Sequence, residues 1–295
     1  MLDRLIGNYL IDQGMLTKIQ LSDAYKRQEA GRAKLGVIAV AEKLMTIAQA
    51  EQVNALQSSM DKLFGDIAIE KGYLSETQVS RLLELQGNTY LAFLQAIVDL
   101  GFLTMEQLKR AEEDYQKLHG FTESDMSALK TGDVEQAVPV FVHTDNPVCK
   151  KMFAMGIKNM YRLVDNHVYI GKTYSVRNLK DEVLGYQKFH GDQNAVVVVS
   201  GKYEDVQKLA IAYTKEEFIE TKEDALDAVC ELINCTNGLY ATDQSRSDAK
   251  IELEPPNFSV SFADVSGEEM VVMPVYICGG EVKYVISLEK DISVR

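Results

Sequence analysis

Asp227, Glu231 and Asn234 are the residues of this 295-residue chain best placed to do chemistry together, because offsets of four and seven positions stack them on one helical face. A carboxylate can dock a cation through a charge-assisted hydrogen bond. A carboxamide offers both an acceptor and donors without carrying a charge that would repel an anion. The stretch that holds them, DALDAVCELINCTN at 224–237, places Leu226, Val229, Cys230 and Ile233 together on another face. The spacing predicts an amphipathic helix that buries an apolar stripe and presents polar groups outward. Asn237 is expected near the C-terminal end of that helix. Downstream, after a strand expected at 249–253, Pro255 and Pro256 stiffen whatever loop lies beside the polar face.

The elements that must position this face have the texture of an α+β domain over 137–295. Runs rich in β-branched and aromatic residues predict strands at 138–143, 167–176, 183–189 and 195–200, then at 249–253, 258–265, 270–278 and 281–288. Ser266-Gly267 and Gly279-Gly280 read as hairpin turns, so the sheet is expected to be antiparallel. Three helices are threaded among the strands. The first opens at Asn146-Pro147, an Asn cap followed by proline at the first helical position, and runs to about 163. The second spans 203–213, and the third carries the polar face. Packing these helices on one sheet gives the α+β architecture.

D-x-x-x-E-x-x-N on a helix, with Pro255 and Pro256 some twenty residues on, resembles the signature of the CheC/CheX/FliY phosphatases, which dephosphorylate chemotaxis response regulators. The resemblance covers the half from about 138 onward. It implies a CheX-like fold and a partner, a phosphorylated CheY-like response regulator that carries its own Mg²⁺, so that the chain needs no cofactor itself. In this reading Asn234 orients the attacking water and Glu231 docks the receiver's lysine. Asp227 supports the start of the helix, and either proline serves the loop, with Pro256 taken as the supporting residue. Family members with two sites repeat the motif on the first helix. Here, aligning Asn159 with Asn234 puts Gly156 where Glu231 stands and Met152 where Asp227 stands, so the resemblance is closest to the single-site CheX branch. The alternative from the same residues is a non-catalytic adaptor that binds receivers.

The other half is a repeat. Gly14, Lys43, Gly72 and Gly101 stand 29 residues apart, and each is followed at three by Thr17, Thr46, Ser75 or Thr104 and at six by Gln20, Gln49, Gln78 or Gln107. Each hydroxyl–glutamine pair reads as a capping box that starts a helix. Gly7, Gly36, Gly65 and Leu94 stand seven residues before the repeat positions, so each repeat is a short helix, a reversal and a longer helix. Lys43 replaces the turn glycine at a cost of about 1 kcal/mol in a left-handed conformation, and that turn is expected to be remodelled. This all-α repeat domain, 1–118, resembles the N-terminal module of type II secretion and type IV pilus assembly ATPases (MshEN-like). Some of those bind cyclic di-GMP through an arginine two residues before the first glycine, where this chain has Leu5, Lys34, Leu63 and Ala92. A cyclic di-GMP receptor is therefore a further alternative, weighed against a docking or homodimerisation module. The polar stretch 119–136 reads as a linker.

With 31 basic against 44 acidic side chains the net charge is −13, which disfavours general nucleic-acid or anionic-membrane binding. The apolar runs are too short to span a bilayer, and the chain is expected to be cytoplasmic. Cys149, Cys230, Cys235 and Cys278 form no C-x-x-C pair and are expected as buried or partly buried free thiols.

Overall fold

The four hydroxyl–glutamine pairs do cap four helices. In the computed structural model, which describes residues 1–57, 59–60, 62–216, 219–261, 263–289 and 292–294, the first two repeats form α1 (Leu2–Asp12), α2 (Lys18–Glu29), α3 (Leu35–Ala41) and α4 (Ile47–Gln57). The third and fourth form α5 (Phe64–Glu70), α6 (Glu76–Glu84), α7 (Thr89–Asp99) and α8 (Met105–His119). Each longer helix starts with the reciprocal pair of bonds; at the second, the Thr46 amide donates to Gln49 Oε1 at 2.8 Å and the Gln49 amide donates to Thr46 Oγ1 at 3.2 Å. Gly14, Gly72 and Gly101 have φ of 67°, 72° and 68°, and Lys43 holds φ 58°. The turn at Lys43 is thus kept, not remodelled. Packing of the flanking helices enforces a backbone that lysine alone would avoid. The glycines seven residues earlier mark close helix contacts: a Cβ on Gly65 would lie 2.9 Å from Val79 Cγ1. Lys34 is ion-paired, its Nζ 2.9 Å from Asp99 Oδ1.

The stretch 119–136 is not a linker. It holds α9 (Glu123–Thr131), capped by Thr122 and Asp125 and bounded by left-handed Gly120 and Gly132. Phe121, Met126 and Leu129 are buried, so a few well-spaced apolar residues suffice to fold a segment whose composition is mostly polar. The chain accordingly divides into two units at Met1–Gly132 and Asp133–Arg295.

The second unit opens with α10 (Val134–Phe141), where a strand was expected at 138–143. Asp133 caps it, and Val134, Ala137, Val138 and Phe141 recur at helical spacing and are buried, which outweighs their β-branching and the internal Pro139. Then follow α11 (Pro147–Leu163), β1 (Tyr169–Ile170), β2 (Tyr174–Asp181), β3 (Val183–Gly191), β4 (Ala195–Gly201), α12 (Tyr203–Thr214) and α13 (Lys222–Ser245). The chain ends through β5 (Ile251–Leu253), β6 (Asn257–Ser259), β7 (Ala263–Ile277), β8 (Gly280–Ser287) and β9 (Ser293–Val294). The strands form one antiparallel sheet of order β1-β7-β8-β4-β3-β5, with β2 and β9 also on β7 and β6 also on β3. Of the expected strand 258–265, Phe262 lies outside the described residues.

Two turns differ from expectation. The β7–β8 hairpin turns on Cys278 and Gly279, with φ 53° and 73°, one residue earlier than read from Gly279-Gly280. Ser266-Gly267 is no turn at all; it lies within β7, where the pairing with β2 slips between Val176 and Asn178.

Helices α11, α12 and α13 pack on one face of the sheet, against β8, β4 and β3. On the other face Leu184, Val196, Val198, Val272 and Val285 form one cluster with Leu179, Val265 and Ile292. Alternation along β3 therefore sends Val183, Gly185, Gln187 and Phe189 toward the helices.

Two outcomes are expected. Lys43→Gly relieves the left-handed strain and raises stability in urea denaturation by about 1 kcal/mol. A chain ended at Gly132 unfolds cooperatively, whereas one ended at 118, which removes the buried Phe121, Met126 and Leu129, loses stability in the same assay.

Candidate active site

Helix α13 starts one turn before the residues that matter. Thr221 caps it, accepting from the Asp224 amide while the Asp224 carboxylate accepts from Thr221, and these bonds hold the Asp224 carboxyl below its ordinary range. Asp227 lies in the second turn, so the support of the helix start that was assigned to it falls to Thr221 and Asp224. Leu226, Val229, Cys230 and Ile233 are buried, as the spacing required, and Ala225 and Ala228 also pack against Ala210 of α12. Along the middle of α13 the exposed residues form one strip: Asp227, Glu231, Asn234, Cys235 and Leu239. Among the described residues neither Asp227 nor Glu231 has a hydrogen-bond or ion-pair partner. The sequence-derived set Asp227, Glu231 and Asn234 thus shares one solvent-facing surface.

Asn234 is different, because its carboxamide is held. Gln187 Nε2 donates to Asn234 Oδ1 at 2.6 Å and to the Glu254 carbonyl at 2.8 Å, while Gln187 Oε1 accepts from Asn237 Nδ2 at 2.9 Å. Gln187 and Asn237 are each 1% exposed. Asn237 is therefore no C-terminal helix residue: α13 continues to Ser245 and buries it in the middle. Two residues to either side on β3 the same helix is met by close packing. Gly185 leaves room for Cys230, whose Sγ would lie 3.2 Å from an added Cβ, and Phe189 packs on Tyr240 with ring centroids 5.8 Å apart.

The prolines act on the edge of β3. Strands β5 and β6 pair with the same side of β3, at Phe189↔Leu253 and at Tyr186↔Asn257, and the break between them, Glu254 to Pro256, lies opposite Gln187 and Lys188. The Glu254 amide still donates to the Lys188 carbonyl at 2.9 Å. Proline has no N–H to continue such a ladder. Of the two, Pro255 is exposed and Pro256 half-buried.

Tyr213 of α12 stands beside this face; burial, with nearby Cys235 and Glu231, raises its phenol above the ordinary value. Cys230 is buried with its thiol pushed up to about 11, mainly by burial, whereas Cys235 is exposed, contrary to the expectation for the thiols. Gln187, Asn237 and Tyr213 were missed in the sequence. For Gln187 a signal existed, a lone polar residue on the inward side of an otherwise apolar strand.

The first long helix offers no second site. Asn159 is buried and its Nδ2 donates to Thr236 Oγ1 of α13 at 3.2 Å. Gly156 lies under Tyr284, whose hydroxyl would be 2.6 Å from a Cβ there. Among the described residues no group of three His, Cys, Asp or Glu side chains could hold a metal ion, and no helix is long and apolar enough to cross a membrane.

Residues 183–266, from β3 into β7, match the family model for the chemotaxis phosphatase CheX. The second unit holds a CheX-type domain. The match includes Gln187, Asp227, Glu231, Asn234 and Pro256. Solved structures similar to the chain include CheX from Desulfovibrio desulfuricans, at 16% identity over 49% of this chain and 100% of that one with a TM-score of 0.43. A CheX–CheY–BeF3–Mg complex from Borrelia burgdorferi is similar at 17% identity, over 50% of this chain and 97% of that one, with a TM-score of 0.39. Thermotoga maritima FliY is similar at 18% identity, over 45% and 82%, with a TM-score of 0.32. No curated protein matches the sequence.

The CheX-type domain makes a stability test simple. Asn237→Ala leaves a buried Gln187 acceptor unpaired and is expected to cost about 1–3 kcal/mol, while the exposed Glu231→Ala changes stability by no more than about 0.5 kcal/mol. Chemical denaturation of the two variants checks the difference.

Proposed function

We propose that this chain is a phosphatase acting on the aspartyl phosphate of a CheY-like response regulator, with Asn234 orienting the attacking water and Glu231 docking the receiver's lysine. One observation carries the reading: within the segment that matches the CheX family, an unpaired carboxylate and a carboxamide held from behind stand exposed one helical turn apart. Such a pair suits a receiver that brings its own lysine and Mg²⁺ to offset phosphoryl charge. In the proposed step the water oxygen bonds to phosphorus, the P–O bond to the receiver's aspartate breaks with its electron pair on that carboxylate, and both protons of the water leave with the phosphate, as dihydrogen phosphate. Asn234 cannot take a proton, so its contribution is position, which carries most of the catalysis in phosphoryl transfer. Among the described residues Glu231 has no partner to release before it pairs with a cation. The helical repeats of the first unit are proposed as the module that tethers or regulates this domain.

Asn234→Ala should lower kcat for phosphate release by roughly a hundredfold with little change in KM, since a positioned group is lost but the dock is kept. Glu231→Ala should raise KM, and added salt should mimic part of that loss by screening the ion pair. Phosphate release from a phosphorylated receiver, measured across receiver concentration, decides between roles. Full kcat in Asn234→Ala would sink the mechanism and leave a receiver-docking module.

A further inference from the structure

We propose that Gln187 is a positioning residue that sets which end of the Asn234 carboxamide faces the solvent, Oδ1 inward and NH2 outward. The proposal rests on the reading of Asn234 as the water-orienting residue, and it names the group that orients Asn234 in turn.

The argument starts from an atom that cannot turn round. The Glu254 carbonyl only accepts, and its place is held by the bond from its own amide to the Lys188 carbonyl and by the proline that follows. Gln187 therefore aims its NH2 group, not its oxygen, toward Glu254, where Nε2 stands 2.8 Å from the carbonyl oxygen. The second N–H of that group then meets Asn234 at 2.6 Å and finds an acceptor in Oδ1. Turning the Asn234 amide over would set donor against donor. At the far end Gln187 Oε1 takes the Asn237 N–H at 2.9 Å, a bond that agrees with this polarity. With Gln187 and Asn237 both 1% exposed, water does not reach the Gln187–Asn237 bond and approaches the other two only from the Asn234 and Glu254 side. A backbone carbonyl at the broken edge of β3 thus dictates the polarity of a solvent-facing side chain through one buried glutamine.

The consequence is chemical. Asn234 presents two N–H donors outward, toward oxygens of a phosphoryl group, and retains one lone pair on Oδ1 to accept from a water. The reverse orientation would confront phosphoryl oxygens with a carbonyl oxygen. Gln187 touches neither phosphate nor water, so its effect appears through Asn234 alone.

The test uses the full chain and two variants. Gln187→Met keeps the shape and removes every hydrogen bond; Gln187→Glu keeps an acceptor for Asn237 and turns an acceptor toward Glu254 and Asn234. The side-chain ¹H–¹⁵N signals of Asn234, assigned by their loss in Asn234→Ala, are expected to be as rigid as the backbone in the wild type and mobile in Gln187→Met, while in Gln187→Glu the amide turns over to donate to the new carboxylate, with the backbone spectrum retained. In phosphate release both variants should lose roughly ten- to a hundredfold in kcat with KM unchanged, and Gln187→Met should cost nothing further when added to Asn234→Ala. An Asn234 amide that is mobile in the wild type, or as rigid in Gln187→Met as in the wild type, overturns the proposal, as do additive losses in the double variant. Should neither variant fold, the wild-type signal alone decides, rigidity supporting the proposal and mobility overturning it. A wild-type chain that fails to accelerate phosphate release refutes the phosphatase reading, while the Asn234 signals still judge the orientation.

Discussion

The second unit depends on one buried polar contact between strand and helix, the carboxamide of Gln187 set between the Glu254 carbonyl and the two asparagines of α13. Most of the β3–α13 interface is apolar and would tolerate small rotations of the helix at modest cost. A buried carboxamide would not, because a turn of one residue carries Asn234 and Asn237 away and leaves Gln187 with only its bond to the Glu254 carbonyl. Small and aromatic neighbours agree with that register: Gly185 lets Cys230 come close, and Phe189 meets Tyr240. The exposed strip Asp227, Glu231, Asn234 faces outward as the complement of this inward set, so the angle at which the site is presented is decided from behind.

The asymmetry between the two long helices follows the same logic in reverse. Both α11 and α13 cover the sheet, and each carries an asparagine three residues after the position that would hold the docking carboxylate. On α11 that position is Gly156, whose missing side chain is filled by Tyr284, and Asn159 turns inward to Thr236. Its amide is consumed in joining the two helices. On α11 these positions are given over to packing, and on α13 they stay exposed.

In the first unit the constraint is positional. Four reversals at a fixed period bring helices together in the same way, and the left-handed residue at each is set by that packing, so Lys43 adopts the conformation of its glycine counterparts. Capping boxes act locally at each helix start. Helix pairing acts across the turn, and where the two disagree, as at Lys43, pairing wins because several buried contacts outweigh one strained dihedral.

The sequence by itself determined what is local or periodic. The capping pairs, the Asn146 cap and the stripe of Leu226, Val229, Cys230 and Ile233 depend on neighbours within a turn or two, the 29-residue period is written in the spacing itself, and the CheX resemblance came from residues on one helix with Pro255 and Pro256 beyond it. Local texture misled where composition and packing diverged: β-branched residues at helical spacing form α10, a polar segment with three well-placed apolar residues forms α9, and Ser266-Gly267 sits within a strand. The structure alone decided what joins distant residues. Gln187 lies 47, 50 and 67 positions from Asn234, Asn237 and Glu254, and nothing in the identity of a glutamine on an apolar strand says which of them it will meet. That choice is made by the pairing of β5 and β6 with one edge of β3 and by the register of α13 above it, both of which exist only once the chain has folded.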